Sequence, residues 1–397
     1  MINIVDCNMI SRVNIWSERI YFLHSLRIFS AVLVCLGHSK EFFIINISND
    51  PTLVEKALRL FLSLGNPAVL VFFYLSGFLV GGNELRRLSM NAINSRKYFL
   101  DRLTRLWSVL IPALVFTTIL NHFSCSEKKL SLYCTASVDL ASHANYPPLI
   151  LQNVSIFFEN LFFFQPFRGE IYGGNGPLWS LSYEFWYYIL FMCFVLMVSS
   201  FKYKKIDRGL LFFIPISIAG LFIVDLRWYF LGIIWLSGAV MGYFIRGFSA
   251  VSNLSKLPAP NIFTIFFLNI VFVLPAMICV RLFPNSFLAY LLMILLLSIA
   301  VTLTRTSCAE QKRNIGERII VRGSEFSFSL YLIHFPFLGL ISTHLTPSLR
   351  WKLDFSSFAV VVLSVVLVAV IANFFAFLTE DRLINLRARL RILYGRY

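Results

Sequence analysis

Charge is what this chain has least of. Only 14% of its 397 residues are Asp, Glu, Lys or Arg, and the 35 basic residues outnumber the 20 acidic ones. Soluble domains carry about a quarter charged residues, so a water-facing surface is excluded for most of the chain. The sequence also lacks a polar stretch long enough for an appended soluble domain, any low-complexity tract, and any repeat relating one half to the other. The missing repeat disfavours the two-half architecture common among secondary transporters. The first twenty residues have no continuous apolar core and no small-residue cleavage site, which predicts that no signal peptide is removed. The seven Cys are scattered without metal-ligand spacing, so no metal site is expected.

Hydrophobic residues fill the space that charge leaves. They make up 58% of the chain, Phe alone contributes 42 residues, and the mean hydropathy is +0.75. The apolar runs recur near the roughly 20 residues needed to cross about 30 Å of hydrocarbon. A barrel would show weaker alternating runs of about ten. The expected fold class is therefore an all-α polytopic membrane protein of about ten transmembrane helices. They are placed near 23–44, 62–81, 103–121, 178–198, 209–224, 228–245, 261–281, 286–304, 325–344 and 356–378. One membrane domain, 1–397, is expected to fill the chain, with a basic inner loop at 82–102 and a long outer loop at 122–177.

With the N-terminus in the cytoplasm, roughly two thirds of the Lys and Arg fall on the cytoplasmic side, so the positive-inside rule places both termini there. The net charge of +15 and pI near 9.6 then reflect topology and anionic lipid headgroups rather than nucleic acid. Cys125 and Cys134 share the outer loop. They are candidates for a disulfide if that compartment is oxidising, and two free thiols otherwise. In the same loop ILQNVSIFFENLFFFQPF either lies in the interface or re-enters the membrane.

Ionisable groups inside such spans normally mark a functional site, because hydrocarbon penalises them and they face a protein cavity instead. Arg27 and His38 stand eleven residues apart in the first span, which returns them to within about 20° of one helix face and separates them by roughly 16 Å. Arg102 and Arg105 are three apart and neighbours on a helix. They read either as a forked phosphate site at the cytoplasmic rim or as an anchor touching lipid. GGNGPLWSLSYEFWYYIL carries Glu184 into the fourth span behind a helix-starting Pro. Counting rise from opposite surfaces puts Glu184 and His38 at similar depth, as catalytic partners or as a structural pair. Ser76 and Gly77 are small residues suited to close packing or to a cavity wall, and His334, with Tyr331 one turn earlier, is either a packed histidine or part of that cavity.

Five blocks together resemble the integral-membrane acyltransferase 3 family, which includes bacterial surface-polysaccharide O-acetyltransferases. They are Arg27 with His38 as R-x10-H, FFYLSGF at 72–78, Arg102 with Arg105 as R-x-x-R, GPLWSLSYE at 176–184, and SFSLYLIHFP at 327–336. They keep the family's order across most of the chain, while roughly 205–320 carries no recognisable motif. The resemblance implies acyl transfer from cytosolic acetyl-CoA, a substrate rather than a resident cofactor, to a hydroxyl of a surface polysaccharide or its lipid-linked precursor. It implies Arg27, Arg102 and Arg105 on the nucleotide phosphates and His38 as general base or acyl carrier. Glu184 would orient His38 or bind the acceptor, with Ser76, Trp179, Ser182, Tyr331 and His334 as candidate cavity residues. It also implies a bacterial inner-membrane location, with membrane lipids as neighbours. Without the fused esterase-like domain of some members, acceptor handling is expected in the membrane domain, its outer loops or a partner. The alternatives are a transporter or flippase of a lipid-linked saccharide, and an acyltransferase acting on a small molecule or lipid. Neither the acceptor sugar nor the oligomeric state follows from the sequence.

Overall fold

In hydrocarbon every peptide group must find its partner within the protein, and a helix satisfies them segment by segment. The computed structural model describes residues 21–45, 51–126, 133–135, 148–223, 226–251, 262–304, 315–346 and 350–382. Among these, helices dominate and no sheet forms, so the protein is an all-α polytopic membrane protein. In chain order the elements are α1 (Tyr21–Phe43), α2 (Leu53–Ser89), α3 (Ser95–Cys125), the short α4 (Val154–Leu161), α5 (Leu178–Tyr203) and α6 (Leu210–Gly220). Then follow α7 (Arg227–Ile245), α8 (Phe263–Leu282), α9 (Phe287–Thr304), α10 (Ile315–Leu345) and α11 (Phe355–Glu380).

Nine of these helices, among the described residues, are long and apolar enough to cross a membrane, in keeping with the expected count of about ten. The segment expected to span at 209–224 forms α6, only 11 residues long with Pro215 inside it. At 1.5 Å per residue it reaches about 16 Å, half the hydrocarbon depth. The basic inner loop is also shorter than expected. Helix α2 continues through charged residues to Ser89 and α3 begins at Ser95, leaving 90–94 as the connection. The outer segment at 150–167 folds as α4 followed by the single turn Gln165–Arg168. Asn153 caps α4 by accepting from Ile156 N at 2.9 Å.

The described residues pack as two units. One takes those within Met1–Ser30, Pro67–Ser95 and Ile189–Ser324, the other those within Ala31–Asn66, Arg96–Tyr188 and Glu325–Tyr397. In the first, α2 loosens into a π turn at Gly77–Gly81, and α7 packs directly onto it. A Cβ on Gly77 would sit 1.8 Å from the carbonyl oxygen of Trp235, and one on Gly238 would sit 2.1 Å from that of Tyr74. Only glycines permit this backbone contact, the usual means of helix association where water supplies no driving force. Trp235 Nε1 donates to Ser76 Oγ at 3.1 Å across the same contact.

In the second unit the end of α1 is tied down by its backbone. The last carbonyls of a helix have no partner within it. Here Arg350 Nη1 donates to the Glu41 carbonyl at 2.9 Å, Trp351 N donates to that of Phe43 at 2.8 Å, and Ile45 N donates to the Trp351 carbonyl at 2.8 Å. One turn earlier the Ser39 and Ser364 hydroxyls bond at 2.7 Å. A second support lies behind α3, where a disulfide joins Cys125 to Cys134. The Tyr133 hydroxyl beside it donates to Asn121 Oδ1 at 2.6 Å, and Asn121 Nδ2 donates to the Gly173 carbonyl at 2.7 Å. Burial raises the Tyr133 phenol above its ordinary pKa, so it stays a neutral donor. Gly173 has φ +58, and a Cβ there would meet Thr117 Cγ2 at 2.7 Å. This glycine holds the loop before α5 against α3.

Candidate active site

His38 lies in the last two turns of α1, just before the backbone ties at Phe43 and Ile45. Its Nδ1 donates to Glu41 Oε2 at 2.9 Å, an i, i+3 pair on one helix face. The two side chains retain 16% and 23% exposure, so the ring opens to the outside of the protein matrix. Phe335 presents its ring edge-on to His38 at 5.2 Å, and the ring of His334 lies 5.3 Å away at 32°. His334 itself is wholly buried, with Nδ1 on the Leu330 carbonyl at 3.0 Å and Nε2 without a hydrogen-bond partner. Tyr331, one turn back on α10, shares a 2.6 Å hydrogen bond with Ser180, whose hydroxyl also bonds the Pro177 carbonyl. His38, Glu41, Tyr331, His334 and Ser180 therefore form one polar cluster within an aromatic wall.

Glu184 interacts electrostatically with Tyr331 of this cluster and is also bonded along its own helix. Its Oε1 accepts from the Tyr188 hydroxyl at 2.5 Å, one turn along α5. The Arg102 guanidinium sits 6.0 Å from the Tyr188 ring centroid, and that of Arg105 sits 5.7 Å from Phe328, contacts worth about 0.5–1 kcal/mol each. Arg102 Nε is buried and has no acceptor among the described residues. A guanidinium held on an aromatic face with an unused donor is preset for an anion. Glu184 thus relates both to Tyr331 and, through Tyr188, to Arg102, while Glu41 is the carboxylate bonded to His38 Nδ1.

The remaining expected residues fall as follows. Trp179 and Ser182 lie in the first turns of α5, Trp179 edge-on to Tyr183 at 5.3 Å and Ser182 bonding back to the Leu178 carbonyl at 3.4 Å. Ser76 and Arg27 belong to the first unit. Ser76 is the Trp235 acceptor described above, and Arg27 is partly buried in α1. No group of three or more His, Cys, Asp or Glu suited to a metal ion occurs among the described residues. Three site residues escaped the sequence reading: Glu41, Ser180 and Tyr188. Two carried a signal, because His38-Glu41 and Glu184-Tyr188 stand at i, i+3 and i, i+4.

An imidazole bonded to a carboxylate and two guanidinium groups on aromatic faces are groups able to move a proton and to bind an anion. Comparison with curated proteins and with solved structures finds no match. Residues 20–374 match the family model described as an acyltransferase domain, which covers nearly the whole chain. The chain belongs to the integral-membrane acyltransferase 3 family.

Proposed function

We propose that this membrane acyltransferase moves an acetyl group from cytosolic acetyl-CoA to a hydroxyl of a cell-surface polysaccharide or its lipid-linked precursor. The observation that carries this reading is the His38–Glu41 pair at 2.9 Å. A carboxylate only accepts, so His38 Nδ1 carries the hydrogen and Nε2 of the neutral ring is a lone pair ready to act as base. In the reaction Nε2 takes the proton of the acceptor hydroxyl as its oxygen attacks the thioester carbonyl. The tetrahedral intermediate collapses, the carbon–sulfur bond breaks, and the departing thiolate receives the proton back from the imidazolium. The products are the acetyl ester and free CoA thiol. Glu41 keeps the tautomer and stabilises the cation formed midway. Such a base contributes typically 10²–10⁴-fold.

Arg102 and Arg105 would hold the phosphates of the donor, with Glu184 supporting Arg102 through Tyr188. Arg27 is assigned to the same donor from its R-x10-H motif. The site acts within a single membrane acyltransferase domain, 1–397, in a bacterial inner membrane with both termini cytoplasmic.

The direct test compares surface-glycan acetylation by NMR in a deletion strain complemented with the wild-type protein or with His38→Ala. Wild type restores the acetyl resonances; His38→Ala, present in the membrane at equal level, does not. Equal acetylation by the two would overturn the assignment of the base, and an unchanged glycan in the deletion strain would overturn the acceptor.

A further inference from the structure

His334 is a buried histidine for which the reaction above has no use. Its Nδ1 lies 3.0 Å from the Leu330 carbonyl. A carbonyl only accepts, so Nδ1 carries the hydrogen and Nε2 of the neutral ring is an acceptor. Among the described residues no group bonds that atom, although the side chain is wholly buried. Buried polar atoms normally recover the hydrogen bond they give up to leave water.

The same logic applies to His38, whose Nδ1–H is taken by Glu41 and whose Nε2 is also a lone pair. The two rings are 5.3 Å apart. Acceptors cannot satisfy one another, and two described neighbours of the pair supply no donor to it. Phe335 is apolar, and the Tyr331 hydroxyl is committed to Ser180 at 2.6 Å. A ligand that bonds both rings, whose centroids are 5.3 Å apart, brings two neighbouring donors. A lone alcohol brings one.

We infer that His334 is a second acceptor-binding imidazole, and that the His38–His334 pair selects an acyl acceptor with two adjacent hydroxyls, a vicinal diol. One hydroxyl gives its proton to His38 and becomes the nucleophile, while its neighbour donates to His334 Nε2 and fixes the ring that carries both. His334 takes no proton in the transfer; it is a positioning residue. The inference rests on the acetyl-transfer reading and narrows its substrate to hydroxyls of that arrangement.

The experiment uses the full chain in lipid nanodiscs with acetyl-CoA. Two probe acceptors are compared, trans-cyclohexane-1,2-diol and its monomethyl ether, and ester formation is followed by mass spectrometry. One neutral hydrogen bond and a statistical factor of about two separate the probes, so wild type should favour the diol by roughly five- to twentyfold in kcat/KM. In His334→Phe, which keeps an aromatic ring but removes the lone pair, the ratio should fall to about the twofold expected from two equivalent hydroxyls. In His334→Gln, whose amide oxygen still accepts, part of the preference should return. A wild-type ratio near two, or a ratio that survives in His334→Phe, would overturn the inference while leaving acetyl transfer intact. If His334→Phe does not fold, His334→Leu, which also lacks an acceptor, takes its place: a ratio near two supports the assignment, and a ratio equal to that in wild type overturns it. Wild-type protein that acetylates neither probe would instead count against the acetyl-transfer reading itself, and this inference would go with it.

Discussion

Replacing Glu41 with Gln isolates the charge at the base from its geometry. The amide oxygen of Gln can accept the same Nδ1–H that the carboxylate accepts at 2.9 Å, so the tautomer of His38 is kept and only the negative charge is lost. That charge matters when the ring holds the substrate proton and becomes a cation. Two unit charges about 4 Å apart interact by about 4 kcal/mol at an effective dielectric near 20. Both side chains keep some exposure, 16% and 23%, and solvent screens part of this, leaving about 2–3 kcal/mol. In rate that is a fall of roughly 30- to 150-fold in kcat.

The assay is CoA thiol release together with ester formation by nanodisc-embedded protein, with acetyl-CoA varied at fixed acceptor. Glu41 bonds His38, the proposed base, rather than the arginines proposed to hold phosphate, so kcat should fall while the KM for acetyl-CoA stays within about twofold. A double variant sharpens the test, since residues acting as a unit are not additive. His38→Gln/Glu41→Gln should be no slower than His38→Gln alone. A kcat for Glu41→Gln within threefold of wild type, or a double variant whose losses multiply, would refute the pairing.

Three further outcomes follow from other parts of the molecule. Arg102→Ala/Arg105→Ala should raise the KM for acetyl-CoA at least tenfold with a smaller change in kcat, measured by the same thiol release; an unchanged KM would return the pair to a lipid-anchoring role. Opening the Cys125–Cys134 disulfide, which closes a nine-residue separation, should destabilise the protein by about 2–3 kcal/mol on the chain-entropy model, read as a lower Tm for Cys125→Ser/Cys134→Ser. Asp354 caps α11 and accepts from Ser357 N at 2.7 Å. The Ser357 backbone amide and the Ser356 and Ser357 hydroxyls hold its carboxyl below the ordinary 3.8, so its stabilisation is present above that value and lost as pH falls through the lowered one. The Tm gap between wild type and Asp354→Ala should accordingly be full at neutral pH and close in acid.

The spans were legible because hydrocarbon leaves so few solutions that long apolar runs map directly to helices. What misled the reading were ends and lengths. Residues 209–224 are as apolar as a true span, but α6 within them is only 11 residues long, and hydropathy counts composition rather than rise. The inner loop failed for the opposite reason. The charged turns at Arg86, Arg87, Arg96 and Lys97 look like loop yet continue α2 and α3, because a helix leaving hydrocarbon need not end there.

The site followed the same division. His38, His334 and the arginine pair stood out because each is expensive in a membrane and has to be explained. Glu41 did not, since it sits beside Lys40 at the end of its span and reads as an interface charge. Its partner was nevertheless three residues away on the same face, where helix geometry alone brings a carboxylate to an imidazole. Glu184 combines both kinds of signal: it bonds Tyr188 one turn along its own helix and acts electrostatically on Tyr331 of another helix. Local i, i+3 and i, i+4 spacing therefore identifies partners along one helix, and shared depth those between helices. The burial pattern supports this. Helices α1 and α10, which carry His38 and His334, are 61% and 72% buried across their spans, while the more apolar α9 and α11 are only 33% buried. The polar residues that weaken a span's apolar signal are the ones the fold turns inward, and each then depends on a neighbour close enough on its own helix, or on a ligand, to satisfy it.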